Sequence, residues 1–322
     1  MQKALKTSAI SFRRKKRIVT IQREVNPPGE NQVLIQMKAC GICQYDIKCY
    51  KDISTDPVYS KSPGHEGVGV VVAAGKNVED VRPGDKVTSY SFCGAFADYY
   101  TADINTVAVL PREVEDFKYW AAEPIACIVN SLRFLRIEPG DDVVVMGCGY
   151  MGLLFIQGLP KEFINNLTAV DIDDDRLSLA RQFGAGTIIN AQHCDPVQAV
   201  LDTNKRQADV VIEAVGVKGA IGPATDMTRK GGRLCIFGHH AEDESVPTGE
   251  WHMKGIEVLN TTPFTSKDFH KDLIDAVKLM KKGTFDQTKL ISRSYPLSDM
   301  KRAMEELSLK PSDLIKTVVT NY

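Results

Sequence analysis

A chain of 322 residues is long for a single hydrophobic core and implies two domains. With 43% hydrophobic and 25% charged residues it has the composition of a globular protein, and a formal net charge of -1 argues against a general polyanion binder. No apolar run reaches membrane-spanning length and no signal-peptide core is present, while eight cysteines are too few for a disulfide framework. A cytoplasmic protein with thiols available to metals is expected.

Residues 1–125 are β-patterned. Val33–Met37 and Gly67–Val72 read as strands, and Pro27-Pro28-Gly29 and Arg82-Pro83-Gly84-Asp85 as turns. The basic run Arg13-Arg14-Lys15-Lys16-Arg17 precedes Ile18-Val19-Thr20-Ile21 and has no aromatic platform. It reads as a solvated hairpin near an edge strand, and no nucleic acid partner is expected. Three features in this part share a chemistry: Cys40-Gly41-Ile42-Cys43-Gln44-Tyr45-Asp46, Gly64-His65-Glu66-Gly67 and Glu123-Pro124. Thiolate, imidazole and carboxylate together suit zinc with one position left open, which is a catalytic arrangement. Each feature alone also fits a bland role, Cys40 and Cys43 as a buried pair and His65 as a core histidine. A C-x-x-C can be half a zinc finger, but no second one exists to close it.

From about 126 to 265 strands and helices alternate. Asp142–Met146 is a short β-branched run leading into Gly147-Cys148-Gly149-Tyr150-Met151-Gly152, an apolar helix follows, and a second strand, Leu167–Val170, ends on Asp171. Strand, G-x-G-x-x-G, helix and acid in that order are the fingerprint of a dinucleotide site: glycines for the turn and close approach, helix amides for the pyrophosphate, and the acid for both ribose hydroxyls. Further strands are expected at Thr187–Ile189, Asp209–Glu213, Arg233–Phe237 and Ile256–Leu259, with helices over Arg176–Phe183 and Lys218–Arg229. Six strands with helical crossovers make an α/β, doubly wound domain. Gly216, and Gly238 with His239, follow the fourth and fifth strands, where cofactor-side residues belong. An amphipathic helix over Phe269–Lys282 opens the last segment, and Leu290–Tyr322 is expected to return to the first domain. The division is therefore 1–125 with 266–322, and 126–265.

These marks, with Pro-Gly-Asp-Lys-Val at 83–87 and Gly-Ala-Phe-Ala-Asp-Tyr at 94–99, resemble the medium-chain zinc-dependent alcohol and polyol (sorbitol-like) dehydrogenase family along nearly the whole chain. The resemblance implies a GroES-like catalytic domain and a Rossmann NAD-binding domain. It implies a catalytic zinc held by Cys43, His65 and Glu66, with Glu123 a fourth or water-bridged ligand, and Asp46 bonded to the zinc histidine. Cys40 matches a non-ligand position, and Glu123-Pro124 is similar to the polyol branch. It also implies a homodimer or homotetramer.

The chain departs from the family in three places. Cys93 is the sole cysteine between Val87 and Gly94, so no structural zinc is expected. Tyr45 stands where the family has a proton-relaying Ser or Thr, and Lys48 replaces a frequent histidine. Tyr45 relaying the proton with Lys48 favouring its phenolate, and Tyr45 as a mere pocket wall, are both open. His239, His240 and His252 sit where strand ends should line the nicotinamide and substrate, and fit either hydroxyl binding or the surface. Asp171 and the run Asp173-Asp174-Asp175 favour NAD over NADP, with Arg176 a basic residue beside the ribose. The expected reaction is reversible oxidation of a secondary alcohol (a polyol, sugar, cyclitol or sugar-derived alcohol) to its ketone. The alternatives are a zinc-free enone or quinone reductase of the same fold, and a nucleotide-binding scaffold without activity.

Overall fold

The structure, a computed structural model, describes residues 4–14, 16–53, 56–90, 94–309, 311 and 313–322; Lys15 of the basic run and Cys93 lie outside them. The chain divides into two compact units, Met1–Ala126 with Asp268–Tyr322, and Cys127–Lys267.

The first unit opens with the hairpin β1 (Leu5–Arg13) and β2 (Arg17–Val25), paired so that Arg13 faces Arg17. The described residues of the basic run are therefore the exposed tip of a hairpin. β3 (Gln32–Gly41) runs into α1 (Gln44–Tyr50) and α2 (Pro57–Lys61), followed by β4 (Glu66–Ala74), β5 (Lys86–Tyr90), β6 (Tyr99–Asp103) and β7 (Val107–Val109); α3 (Glu123–Leu135) starts in this unit and has most of its residues in the second. β3 is the hub of this sheet, antiparallel to β4 and to β6, and its Val33, Ile35 and Met37 are fully buried in the core with Phe96 and Tyr100. Removing such side chains from water is what makes the strand central. Neither short helix was expected from periodicity, for each is shorter than two or so turns can reveal.

The second unit carries β8 (Asp142–Met146), α4 (Tyr150–Gly158), β9 (Asn166–Asp171), α5 (Asp174–Gln182), β10 (Thr187–Asn190), α6 (Pro196–Asn204), β11 (Ala208–Glu213), α7 (Ile221–Met227), β12 (Thr228–Ile236), α8 (Thr248–Lys254) and β13 (Glu257–Asn260). The strands are all parallel in the order β10-β9-β8-β11-β12-β13. The order reverses between β8 and β11, so the ligand crevice belongs at their carboxyl ends. Every residue of β8 is buried, as a strand covered on both faces requires. The helix expected over 218–229 is shorter at both ends. Residues from Thr228 on are extended, and Ala208 pairs with Thr228 before the register shifts at Val210.

The chain then returns to the first unit through α9 (Phe269–Lys281), β14 (Ile291–Pro296), α10 (Met300–Ser308) and β15 (Lys316–Thr320). α9 buries Leu273, Ala276, Val277 and Met280, an i, i+3, i+4, i+7 stripe. β15 is parallel to β14 and antiparallel to β3, with Val318 opposite Gly41. Among the described residues no helix is long and apolar enough to cross a membrane.

Candidate active site

In the first unit the candidate metal ligands converge from β3, β4 and the helices between them. Cys43 is the N-cap of α1, and its backbone N–H donates to Asp46 Oδ2 at 2.8 Å, the carboxylate arm of a capping box. His65 and Glu66 lie where the chain enters β4, which pairs Glu66 with Gly41. One ligand atom from each of Cys43, His65 and Glu66 lies within 4.8 Å of the others. His65 and Glu66 are buried and Cys43 is partly so. Cys40 is buried outside this trio, and burial first, then the charges of Glu66 and Asp46, pushes its thiol well above the usual range.

Glu66 is held by Lys316 of β15. The ammonium donates to Oε1 at 2.6 Å and is equally near Oε2, which has no hydrogen-bond partner although it is buried. Burial would lower the Lys316 ammonium, but the charges of Glu66, Cys43 and Glu123 raise it. Gly41 makes the pair possible, since a Cβ there would lie 1.8 Å from Glu66 Oε2. Glu123, the first residue of α3, is buried but does not belong to the trio; its charge acts on both His65 and Lys316.

The expectation that Asp46 bonds His65 directly is corrected. Tyr59 of α2 lies between them, its hydroxyl 2.5 Å from Asp46 Oδ1 and 2.6 Å from His65 Nδ1. With Nδ1 engaged, Nε2 is the atom left to bind a metal. Soft sulfur, imidazole nitrogen, a buried carboxylate and more acids than the single ammonium balances all fit zinc.

Tyr45 packs its ring edge against Tyr59 at 4.9 Å and donates its hydroxyl to Asp56 Oδ2 at 3.2 Å. A carboxylate neighbour opposes a phenolate, so the expected assistance from Lys48, half-buried in the last turn of α1, works against this contact.

In the second unit the glycine motif follows β8. Gly147 has a φ of 96°, and its N–H donates to Val170 O. Gly149 is the N-cap of α4 with no side chain capping the helix, and a Cβ built on it meets nothing within 4 Å. Tyr150 and Met151 form the first turn, with Tyr150 buried. A Cβ on Gly152 would lie 1.8 Å from Gly147 O. Open space at the cap, with helix amides facing it, fits a pyrophosphate.

Asp171 accepts from Cys148 N at 2.5 Å on Oδ2, and from Ile172 N at 2.7 Å and Asp173 N at 3.0 Å on Oδ1. Of about four acceptor sites on a carboxylate, roughly one remains, on Oδ2, where both ribose hydroxyls were expected to bind. Arg176 is half-buried on α5, and its charge reaches Cys148. Gly216 and Gly238 bring two backbones together, since a Cβ on Gly238 would lie 2.4 Å from Gly216 N. His239 is exposed, as is His252 on α8. His240 places Nε2 2.9 Å from Glu213 Oε2 and Nδ1 3.0 Å from Glu244 Oε1. Both of its ring nitrogens face carboxylates, so its hydroxyl-binding role is not supported.

Exposed Ile172, Val215 and Val217 follow the ends of β9 and β11. Sequence reasoning overlooked them; apolar residues just after strand-end acids are the signal, and they suit the faces of a base.

Residues 29–112 match the alcohol dehydrogenase GroES-like domain, and residues 151–279 the zinc-binding dehydrogenase domain. The chain belongs to the zinc-type medium-chain alcohol and polyol dehydrogenase family. It is 28% identical over 283 residues to an alcohol dehydrogenase of Moraxella sp. (strain TAE123), covering 78% of this chain and 82% of that one. It is 26% identical over 329 residues to the D-xylulose reductase of Saccharomyces cerevisiae, covering 90% of each. An Escherichia coli oxidoreductase/dehydrogenase of unknown specificity has the same fold, with a TM-score of 0.89, 22% identity and coverage of 98% and 99%.

Two predictions follow from this dehydrogenase geometry. Gly149→Ala should leave stability unchanged but weaken dinucleotide binding about tenfold, the loss of one or two backbone hydrogen bonds. Gly152→Ala should lower the thermal midpoint, because its methyl has no room. Titration calorimetry beside thermal melts separates the two, and equal binding by Gly149→Ala and the parent would contradict the phosphate role.

The second concerns protons. Burial pulls the His65 imidazole down, but the hydrogen bond and charge of Cys43, with the charges of Asp46 and Glu123, raise it to about 10. Metal-free protein therefore carries an Nε2 proton at neutral pH that a cation must displace. The raised value stabilises the metal-free fold fully below the ordinary 6.5, and that contribution is lost as pH rises through about 10. Zinc affinity should instead climb roughly tenfold per pH unit toward that value from this proton alone. Competition against a chromophoric chelator at several pH values checks it, and a flat profile would refute it.

Proposed function

We propose that the chain is a zinc- and NAD-dependent dehydrogenase that interconverts a secondary alcohol of the polyol or sugar-derived class and its ketone. The observation that carries this is the convergence of Cys43, His65 and Glu66, one ligand atom of each lying within 4.8 Å of the others.

Cys43, His65 and Glu66 would hold the zinc, with Glu123 a fourth or water-bridged ligand. When bound, zinc supplies Lewis acidity toward an alcohol oxygen and the nicotinamide supplies a hydride acceptor. What the chain must still handle is the hydroxyl proton. Tyr45 is the proposed carrier: its oxygen accepts the substrate proton while its own passes to Asp56, the carboxylate it already donates to.

Gly147, Gly149 and Gly152 seat the pyrophosphate at the start of α4, and Asp171 accepts from the adenosine ribose. A carboxylate there repels a 2′-phosphate, and Asp173, Asp174 and Asp175 add to that repulsion, which supports NAD over NADP despite Arg176. Support for a polyhydroxylated substrate comes from the likeness to a D-xylulose reductase.

The test is to measure bound zinc and then screen polyols and sugar alcohols for reduction of NAD and of NADP. Turnover of a secondary polyol with NAD and one catalytic zinc per chain is the expected result. A zinc-free preparation of undiminished activity, or a clear preference for NADP, would overturn the corresponding part of the reading.

A further inference from the structure

α2 is a helix of five residues in which Tyr59 is the only buried one. It is built with care for its size. Asp56 caps it by accepting from Val58 N at 3.0 Å and Tyr59 N at 2.9 Å, Pro57 sits at its start, and Tyr45 packs edge-on against the Tyr59 ring. The element delivers one phenol oxygen to one buried point.

Among the described residues that oxygen has three hydrogen-bonding neighbours: Asp46 Oδ1 at 2.5 Å, His65 Nδ1 at 2.6 Å and Gly64 N at 3.1 Å. A phenol has one proton to give and two lone pairs with which to accept. The Gly64 N–H can only donate, so it occupies one lone pair. Asp46 already accepts from Cys43 N on its other oxygen, and a carboxylate can only accept. The phenol proton must therefore point at Asp46, because a bare contact between two oxygens at that distance would be repulsive. One lone pair remains, and it faces His65 Nδ1.

We propose that Tyr59 is a positioning residue that sets the tautomer of His65: the ordered chain Asp46, Tyr59, His65 places the imidazole proton on Nδ1 and presents the bare Nε2 lone pair to the metal. The proposal rests on the zinc reading above and deepens it. Asp46 thereby governs two ligands at once, Cys43 through its backbone amide and His65 through the phenol. A neutral phenol oxygen accepts more weakly than a carboxylate in direct contact. It fixes the ring and its proton without pulling as much negative charge onto the imidazole.

Zinc-loaded protein with 15N-labelled histidine tests this without any substitution. His65 is expected to show a slowly exchanging proton on Nδ1 and metal ligation through Nε2. Ligation through Nδ1 would overturn the proposal. Tyr59→Phe keeps the ring and removes the oxygen, so the Nδ1 proton should exchange rapidly with solvent. Zinc affinity, read by chelator competition, should fall about 10–100-fold, the usual effect of removing such a partner. Asp46→Asn offers one acceptor where two are needed and should reproduce both changes. A Tyr59→Phe protein with unchanged affinity and an unchanged Nδ1 signal would refute the role of Tyr59 while leaving the zinc reading intact. Wild-type protein that takes up no zinc would refute both.

Discussion

Cys43→Ala and His65→Ala are each expected to lose bound zinc and to lower kcat/KM by about three orders of magnitude. Lewis-acid stabilisation of developing negative charge on oxygen is worth several kcal/mol, and each 1.36 kcal/mol is about a factor of ten in rate. The loss should fall mainly on kcat, because the charge develops most fully in the transition state. Metal content and steady-state kinetics on the same preparations decide the matter. If Cys43→Ala turned over a polyol as fast as the parent, the zinc-free reductase reading would take its place.

Lys316→Met should cost the metal-free protein about 3–5 kcal/mol, the usual penalty for stranding one member of a buried ion pair. Glu66 is buried, its Oε1 is bonded to Lys316, and burial leaves the carboxylate no water in exchange. Trp120 lies in the first unit and Trp251 in the second, so in a Trp251→Phe background the urea transition of the first unit is followed separately. Adding Glu66→Gln to Lys316→Met should restore most of the loss, because no charge is then left alone. Zinc should also rescue Lys316→Met in part, since a divalent cation can replace the missing ammonium. Equal stability of Lys316→Met and the parent without metal would show that the pair does not hold this end of the sheet.

Much of this was legible in the sequence because the relevant residues are neighbours along it. Gly147, Gly149, Gly152 and Asp171 belong to one strand–turn–helix–strand unit whose spacing encodes its geometry, and the six parallel strands follow from short apolar runs between helices. Cys43, His65 and Glu66 likewise sit in short motifs. Tyr59 and Lys316 did not show themselves, for different reasons. Tyr59 rides on a helix too short for periodicity to register, although Asp56-Pro57, a cap residue followed by proline, is a helix-start signal that was present. Lys316 meets Glu66 only because β15 pairs with β3 in one particular register, a tertiary fact that no local pattern carries. The same holds for His240, whose carboxylate neighbours come from β11 and from residue 244. Asp171 was identified by its position, but its three backbone donors come from turns whose detailed shape spacing does not specify.

The wide separation of Glu66 from its counter-ion bears on how the nascent chain matures. Some 250 positions separate the two partners, so at a ribosomal pace of roughly 5–20 residues per second the acid waits on the order of 10–50 seconds for its lysine. Throughout that interval the entire second unit emerges and can fold, while the thiol, imidazole and acids upstream lack the strand that completes their sheet. Translation order thus puts off closure of this site until Lys316 itself has emerged, and a cation delivered early would meet an unfinished receptacle.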